Sequence, residues 1–543
     1  MNRNKPYKHC LVAIAVMYLA AGCSSKIFPD KTILIWEGAE WSVTNPGVQD
    51  NPFDLIADVI FTHENGETRE TQMFYDGGKT WKFRFCGTLA GEWQISTSSE
   101  DGDLDGYRGT VVVMEDPDHD ANGFITNFGK KWGWQGSGKA FIPQWVMGKD
   151  MEYFYDIEAG KIRTDLVEKD IQEFIHAHGF TGFHLQVMES WFDLTGEGPF
   201  IDPDIRTYQV LETIVGRVHA EGGACHIWMW GSDGKRENMD GDGPRGILGD
   251  PGNARDLRNL RYLAARLGPL PGWTLGYGID TENGTATIDQ LNGWKDYLEE
   301  HMGWDHFIGA RVGYDEKGLW ALVPSGPRPP HDEKYCSAIK DEHCSWLGGD
   351  YIGYTSYRPL YDRYMETLNH HPDKPSFEED RFRLRNLDNW SYKDYNQELT
   401  RRGLWHSALA GGVANIWGNL LPDSDHGGSR SYATGTIYIK HQIKTYAEFF
   451  HKRFLVDMET FKTEDPVVLG LRTADMKNMI FYQEDTDVVR LDNTGLSEAL
   501  LAIAVDTRKE YKEIEIGDIN DSITRWEAPY VSDWAIALGN FEE

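Results

Sequence analysis

The segments GFTGFHLQVM (residues 179–188), TYQVLETIVGRVHAEG (207–222) and GGACHIWMWG (222–231) decide the fold of this sequence. The first and the third are short apolar runs with aromatic and β-branched residues, which is typical of buried strands. The second carries apolar residues at helical spacing and ends in glycine, as many helices do. A strand, a helix and a second strand in this order predict a βαβ unit with parallel strands.

The same alternation of short apolar runs and longer amphipathic segments extends over residues 119–455. Eight strand candidates can be placed there: AFIPQWVMG (140–148), GFTGFHLQVM, GGACHIWMWG, GWTLGYGID (272–280), HFIGARVG (306–313), DYIGYTSY (350–357), KPSFEED (374–380) and GGVANIWGN (411–419). Eight such units predict an α/β fold, a (β/α)8 TIM barrel. The alternative is a doubly wound open sheet, which would usually show a glycine-rich phosphate loop after its first strand, and the sequence has none there.

Segments rich in predicted strands flank the barrel on both sides. Residues 31–118 contain short alternating runs such as TWKFRFC (80–86), separated by clusters of Gly, Asp and Asn, and predict an N-terminal β-sandwich. Residues 456–543 return to short strands such as NMIFYQED (478–485), which predicts a second β-sandwich at the C-terminus. Neither segment shows a catalytic grouping.

The N-terminus has the pattern of a lipoprotein signal peptide. Residues 1–22 combine basic residues with the apolar run CLVAIAVMYLAAG (10–22), which is too short to remain as a membrane-spanning helix. The run leads into LAAGCSS (19–25), which resembles the bacterial lipobox, and this implies that Cys23 becomes the first mature residue and carries the lipid. Residues 23–30 would form a tether. We therefore expect an exported protein anchored to a bacterial membrane, in the periplasm or at the cell surface; plain secretion with cleavage nearby is the alternative.

Composition limits the partners. The formal net charge of −32 repels nucleic acid and anionic membranes, so we expect no nucleic-acid partner and membrane contact through the lipid anchor. Aromatic residues make up 13% of the chain and include 20 Trp, whose flat faces suit the C–H face of a sugar ring, which favours a carbohydrate partner. Cys336 and Cys344 are close enough for a local disulfide, but free thiols are equally compatible with the sequence.

Acidic residues follow two of the predicted strands at the end where barrel active sites lie. Asp280 ends GWTLGYGID and Glu282 follows it, while Glu379 lies in KPSFEED between Glu378 and Asp380. In glycoside hydrolysis one carboxyl group protonates the leaving oxygen and a second attacks the sugar or activates water. Acidic residues also end strands as caps or as solvated loop residues, but two clusters, on strands four and seven, favour a catalytic pair.

Four segments, WTLGYGID, HMGWDHFIGAR, EEDRFRLR and RRGLWHSALAGGVANIWGNL, resemble clan A glycoside hydrolase barrels, and more closely the apiosidase-like group. MFYDGGKTWKFRFCGTLAGEWQISTSS resembles the immunoglobulin-like sandwich that precedes many bacterial barrel hydrolases. The resemblance implies a retaining O-glycoside hydrolase, with Glu379 as the nucleophile and Asp280 as the acid/base. The chemistry requires no cofactor, and we expect no metal. The sequence lacks the Asn-Glu pair that clan A usually carries, so Glu282 is the alternative acid.

Substrate binding is expected from side chains on four of the strands and in the loop after strand two, although each could instead be a core residue. These candidates are His184, Trp191, His226, Trp228, Trp230, Tyr354 and Trp417. The loop GSDGKRENMDGDGPRG (231–246) carries Asp240 and Asp242, which allows calcium binding, but it lacks the later glutamate of an EF-hand, so a cleft-wall loop is favoured.

Two other functions remain open at this point. One is a non-catalytic glycan-binding surface lipoprotein, and the other is a polysaccharide lyase with a Tyr or His base. The substrate of a hydrolase would be a poly- or oligosaccharide, for which plant and marine-algal glycans are the sources to test.

Overall fold

The computed structural model describes most of the chain that follows the predicted signal peptide. It covers residues 26–48, 50–118, 120–230, 254–278, 288–309, 361–362, 364–365, 368–369, 372–373, 375–381, 396–417, 439–521 and 524–541. Of residues 230, 277–278, 288–292 and 378–381 it describes the backbone only.

The first part of the chain forms two facing sheets. Its strands are β1 (Lys31–Leu34), β2 (Gly38–Thr44), β3 (Ala57–His63), β4 (Thr68–Gln72), β5 (Phe74–Tyr75), β6 (Thr80–Cys86), β7 (Gly91–Ser99) and β8 (Arg108–Met114), with a short 3₁₀ turn at Pro52–Asp54. The order β1-β8-β7-β3-β4 makes one sheet and β2-β6-β5 the other. Alternate residues such as Phe61 of β3 and Phe83 of β6 fill the space between them. Phe28 belongs to the same core, so residues 26–30, which were expected to be part of a tether, pack onto this sandwich.

A small antiparallel sheet links the sandwich to the next unit. It contains β9 (Ile125–Phe128), β10 (Lys131–Trp134) and β11 (Ala140–Phe141). Trp132 of β10 donates its indole N–H to the backbone oxygen of Ser376 at 2.9 Å, directly before a later parallel strand begins. This sheet therefore covers the N-terminal ends of the parallel strands.

The parallel sheet and its helices occupy the middle of the chain. The strands are β12 (Gln144–Met147), β15 (Gly182–Gln186), β16 (Cys225–Trp230), β17 (Trp273–Gly278), β18 (Ile308–Gly309), β19 (Phe377–Arg381) and β20 (Ala414–Trp417), with a short antiparallel pair, β13 (Tyr155–Asp156) and β14 (Lys161–Ile162), after β12. The helices are α1 (Thr164–Asp170, continued as a π-helical segment Ile171–His178), α2 (Ile205–Ala220), α3 (Ala254–Leu267), α4 (Ile288–Met302), α5 (Gln397–Leu409) and α6 (Lys440–Arg453), with 3₁₀ turns at Met151–Phe154 and Met188–Trp191.

Local signals in the sequence set these helix ends. The side chain of Asp204 accepts a hydrogen bond from the Arg206 N–H and caps α2, and Asn396 caps α5 through the Leu399 N–H. Gly179 ends the π-helical segment with a φ of 88°, a conformation that glycine adopts without a steric cost.

The strand order distinguishes a barrel arrangement from a doubly wound sheet. The order is β18-β17-β16-β15-β12-β20-β19, so the first parallel strand pairs with both the second and the last. A doubly wound sheet would not pair its first strand with its last. The predicted mixed α/β character is confirmed, and seven of the eight predicted strands take the order of a barrel; the candidate at 350–357 lies outside the described residues, so complete closure stays a prediction.

The sheet is curled, because side chains from distant strands meet inside it. His226 of β16 and Phe377 of β19 are separated by three strands in the sheet, yet their ring centres are 5.1 Å apart. Trp145 of β12 lies 5.2 Å from His226 and 6.4 Å from Phe377. Alternate residues such as Leu185 and Ile227 belong instead to the core shared with the surrounding helices.

The last part of the chain is one bent antiparallel sheet. Its strands are β21 (Glu459–Thr460), β22 (Leu469–Arg472), β23 (Met479–Arg490), β24 (Leu500–Asp506), β25 (Ile514–Ile519) and β26 (Arg525–Leu538), in the order β21-β22-β23-β26-β24-β25. One face packs on the helices, where Tyr482 stacks on Trp405 of α5 at 5.4 Å. The other face has its own core, and register shifts in β23 and β26 bend these long strands so that Trp526 meets Trp534 at 5.1 Å. The expected second sandwich is thus represented, among the described strands, by a single sheet folded over its own core.

A buried carboxylate fixes this sheet to α5. Asp533 is fully buried and accepts hydrogen bonds from Arg401 at 2.6 Å and from Arg402 at 2.8 and 2.9 Å. Burial raises the pKa of Asp533, but the hydrogen bonds and charges of the two guanidinium groups outweigh it, so its pKa lies below the usual value.

We expect Asp533→Asn to lower the free energy of unfolding by about 3 kcal/mol, because it removes the carboxylate that pairs with the buried Arg401 and one of the carboxylates around Arg402. Urea unfolding followed by circular dichroism measures this change. The matched control is Asp487→Asn on the exposed face of β23, which should stay within about 0.5 kcal/mol of the parent. Equal effects of the two variants would contradict the prediction.

Candidate active site

Two predicted site residues, His184 and His226, lie side by side inside the curled sheet. They occupy paired positions on β15 and β16, and their rings stack with centres 5.3 Å apart. Trp228, two residues after His226, presents its ring edge-on to His184 at 4.0 Å. The structure therefore brings three of the predicted substrate-binding residues together, and each of them is at most 3% exposed.

His226 is held in place by β17, the neighbouring strand. Its Nδ1 lies 2.7 Å from the hydroxyl oxygen of Thr274 on β17, and its Nε2 has no hydrogen-bond partner among the residues that the structure describes. Two residues along, a Cβ atom on Gly276 would come within 2.9 Å of that Nε2 and 2.6 Å of Trp228, so only glycine leaves room for both rings. Thr274 and Gly276 of β17 thus accommodate the side chains of His226 and Trp228 on β16.

The electrostatic state of His226 follows from its burial. Burial lowers the pKa of His226 from 6.5 to about 3, because the interior does not solvate an imidazolium ion. At neutral pH the ring is therefore uncharged, with one nitrogen able to donate a hydrogen bond and the other able to accept one. Such a group can orient a hydroxyl without adding charge to the site.

The structure corrects the prediction that Trp417 and Trp191 bind sugar. Trp417 ends β20 but belongs to the helix-side core, where it donates to the Gln144 side chain at 2.9 Å and meets Phe180 at 5.1 Å. Trp191, expected on an open loop, is fully buried and donates to the Met229 backbone oxygen at 2.7 Å. Neither indole has a face that a sugar could reach.

Of the two predicted catalytic acids, the structure describes only the backbone of one. Glu379 is in β19, two positions after Phe377, and its backbone alone is described. Asp280 follows the last residue of β17, Gly278, by two positions, and Asp280 lies outside the described residues. The same holds for Glu282, Tyr354, Cys23, Cys336, Cys344, Asp240 and Asp242, and for the side chain of Trp230.

The structure adds residues that the sequence analysis did not single out. Gln186 is partly exposed at the end of β15, two positions after His184. Because residues two apart in a strand lie on the same face, this spacing is the sequence signal that could have identified Gln186. Beyond it the chain turns sharply, because Met188 has a φ of 48°, and Glu189 follows at the same end of the sheet, also partly exposed. Non-glycine residues in this conformation are uncommon and often lie near functional sites.

The loop after β15 is fixed by a buried acid. Asp193 accepts hydrogen bonds from the backbone N–H groups of Thr195, Glu197 and Gly198, and from Arg206 at 3.2 Å. Burial raises the pKa of Asp193, but these hydrogen bonds outweigh it and leave its pKa below the usual value. The loop therefore forms a fixed wall beside the ends of β15 and β16.

Among the described residues, no group of three or more His, Cys, Asp or Glu side chains is placed to hold a metal ion. No helix in the described part of the chain is long and apolar enough to cross a membrane.

Comparisons with known proteins bear on this arrangement. The profile of a family described only as a domain of unknown function, DUF5060, matches residues 32–100, within the N-terminal sandwich. No curated protein matches the sequence significantly.

The fold is that of solved glycoside hydrolases. A protein described as a candidate glycoside hydrolase from Bacteroides vulgatus ATCC 8482 shares 13% identity and a TM-score of 0.66, over 94% of this chain and 99% of the other. A family 5 glycoside hydrolase from the same strain has 12% identity and a TM-score of 0.53, over 78% and 95%. A third structure, described as a glycoside hydrolase, has 12% identity and a TM-score of 0.50, over 77% and 97%. At these identities the similarity concerns the fold.

We predict that His226 stays neutral in the folded protein down to about pH 3. Between about pH 6.5 and pH 3 the unfolded chain binds a proton at this residue that the folded chain does not, so its contribution to stability falls as the pH falls through this window. Histidine-selective ¹⁵N NMR measures the titration, and the signal missing from His226→Phe assigns it. The same histidine in urea should titrate near 6.5; a midpoint between pH 5 and 8 in the folded protein would contradict the prediction.

Proposed function

We propose that this protein is a retaining O-glycoside hydrolase that acts on a poly- or oligosaccharide. The observation that carries the proposal is a chain of contacts across the inside of the sheet. Phe377 of β19 touches His226 of β16, and His226 hydrogen-bonds Thr274 of β17. The strand that carries Glu379 and the strand that leads to Asp280 therefore face each other across the same interior.

This placement suits the chemistry of a carboxylate pair. Active sites of barrel enzymes lie at the C-terminal ends of the strands. Asp280 follows the end of β17, and Glu379 lies two residues before the last residue of β19. In a retaining enzyme the two carboxyl groups are about 5–5.5 Å apart, and one attacks the anomeric carbon while the other protonates the leaving oxygen. We assign Glu379 as the nucleophile and Asp280 as the acid/base, with Glu282 as the alternative acid.

The remaining residues of the site would bind substrate. The polar ends of Gln186 and Glu189 and the wall formed by the loop after β15 are available at this end of the sheet, whereas the buried ring of His226 lies deeper, near the start of β16. Trp230 and Tyr354 stay proposed contacts to sugar. Export and lipid attachment at Cys23 would place the enzyme where extracellular glycans arrive.

We expect Glu379→Gln to remove nearly all turnover while substrate binding is retained, because the side-chain volume is conserved and only the nucleophile is lost. Asp280→Asn should slow substrates with poor leaving groups far more than activated aryl glycosides, and azide should partly restore its turnover. Plant and marine-algal polysaccharides, with product analysis and aryl glycosides for kinetics, form the substrate panel. Glu378→Gln is the matched control for Glu379 and should keep most of the activity.

The outcomes separate the competing functions. Release of reducing ends without an unsaturated product supports a hydrolase, an unsaturated product indicates a lyase, and binding without either indicates a glycan-binding protein. If Glu282→Gln shows the leaving-group dependence in place of Asp280→Asn, the acid is Glu282. A first product with inverted anomeric configuration by NMR would exclude the retaining mechanism.

The lipid anchor has its own test. We expect Cys23→Ser to move the protein from the membrane fraction to the soluble exported fraction, because the thiol is the attachment atom. Fractionation with immunodetection measures the distribution, and Cys10→Ser, within the signal peptide, is the control that should leave it unchanged. Unaltered membrane partition of Cys23→Ser would place the anchor elsewhere.

A further inference from the structure

The chain is packed onto the N-terminal sandwich from Lys26 onward, three residues after Cys23. The backbone oxygen of Lys26 accepts a hydrogen bond from the Arg108 N–H at 2.9 Å, and the Phe28 N–H donates to the Arg108 oxygen at 2.7 Å. Ile27 thereby forms a parallel bridge with Arg108, and the same parallel pairing with β8 resumes along β1. Residues 26–28 therefore lie alongside the start of β8.

Side chains lock this segment in place. The ring of Phe28 is 3% exposed, stacks on Tyr107 at 4.8 Å and meets Phe83 at 4.9 Å. A Cβ atom on Gly109 would come within 2.9 Å of Phe28, so the glycine in β8 leaves the room that this ring occupies. The anchoring is aromatic and buried, and it should not dissociate while the sandwich stays folded.

Lys26 fastens the end of the segment to a loop. Its ammonium group lies 4.9 Å from the centre of the Tyr107 ring and donates to the backbone oxygens of Gly102 and, at 3.3 Å, of Asp105. Both oxygens belong to the loop between β7 and β8, here called the 100–106 loop. The residue nearest to the proposed lipid is thus attached directly to this loop.

We propose that the lipid anchor holds the N-terminal sandwich directly against the membrane, with the 100–106 loop facing the headgroups. The proposal rests on lipid attachment at Cys23 and not on the assigned glycosidase activity. Only Ser24 and Ser25 lie between Cys23 and Lys26. Three extended residues span about 10 Å at most, and the headgroup layer on one side of a bilayer is about 5–8 Å thick. The body therefore has no free tether on which to move away from the surface.

The charge of the loop defines the surface that it fits. Acidic residues stand at positions 100, 101, 103 and 105, and Lys26 is engaged by the loop backbone. Anionic headgroups would repel this end of the sandwich within a Debye length. The partner that the geometry and charge favour is a headgroup surface without net negative charge.

Quenching by a lipid headgroup tests the orientation. The full-length lipidated protein, carrying Cys336→Ser and Cys344→Ser, receives one dye at Asp103→Cys or at Glu115→Cys; the native Cys86 and Cys225 are buried and should not react. The two positions lie at opposite ends of β8, whose length separates them by about 20 Å. In phosphatidylcholine vesicles with a nitroxide headgroup lipid, we expect quenching at position 103 to be several-fold stronger than at position 115.

Three further samples make the result decisive. Twenty Gly/Ser residues inserted between Ser25 and Lys26 should reduce quenching at position 103 to the level at position 115, because the body can then move away. Equal quenching at both positions without the insertion would overturn the proposal. Cys23→Ser should not bind the vesicles; if it binds and is quenched like the parent, the lipid attachment is wrong. Adding phosphatidylglycerol should weaken quenching at position 103 at low salt, and an increase would overturn the assigned surface.

Discussion

The pairing of the first parallel strand with the last is the constraint on which the rest of the structure depends. Gln144 of β12 is buried at this seam, and its side-chain oxygen accepts hydrogen bonds from Asn415 at 3.1 Å and from Trp417 at 2.9 Å, both on β20. These bonds add to the backbone ladder between the two strands. Without the pairing of β12 with β20 the sheet could lie open, and Phe377 would not contact His226.

A second constraint fixes the sandwich to the curled sheet. Arg84 of β6 and Arg266 of α3 share the carboxylate of Glu212 on α2, at 2.7 Å for Arg84, and Arg266 also pairs with Asp76 at 3.0 Å. Both guanidinium groups lie over the ring of Phe74, at 4.9 and 4.8 Å. Burial raises the pKa of Glu212, but the two arginines outweigh it and keep the carboxylate ionised. An orientation imposed on the sandwich by a membrane would therefore pass to the unit that carries the proposed active site.

Much of the fold could be predicted from the sequence, because short apolar runs report strands directly. Seven of the eight candidate strands are present, and α2 ends two residues before Gly222, the glycine that the sequence indicated as its end. The positions of the tryptophan side chains could not be predicted in the same way, because a composition rich in aromatic residues does not indicate which face of a strand each ring occupies. Trp417 and Trp191 were assigned to sugar on position alone, whereas their indole N–H groups bond to buried oxygens that only the tertiary structure reveals. The packing of Phe28 could not be predicted either, because it depends on the space left by Gly109, which has no Cβ atom.

The neutral state of His226 connects the packing to the proposed chemistry. An acid/base carboxyl group must hold its proton near neutral pH, so its pKa has to be raised. A cationic histidine beneath the carboxylates would lower that pKa, because a nearby positive charge favours the ionised form. Burial beside Trp145 and Phe377 prevents this by keeping the imidazole uncharged. The aromatic packing that curls the sheet thus also keeps a positive charge out of the interior below the proposed catalytic pair, which would favour the protonated acid that the proposed retaining mechanism requires.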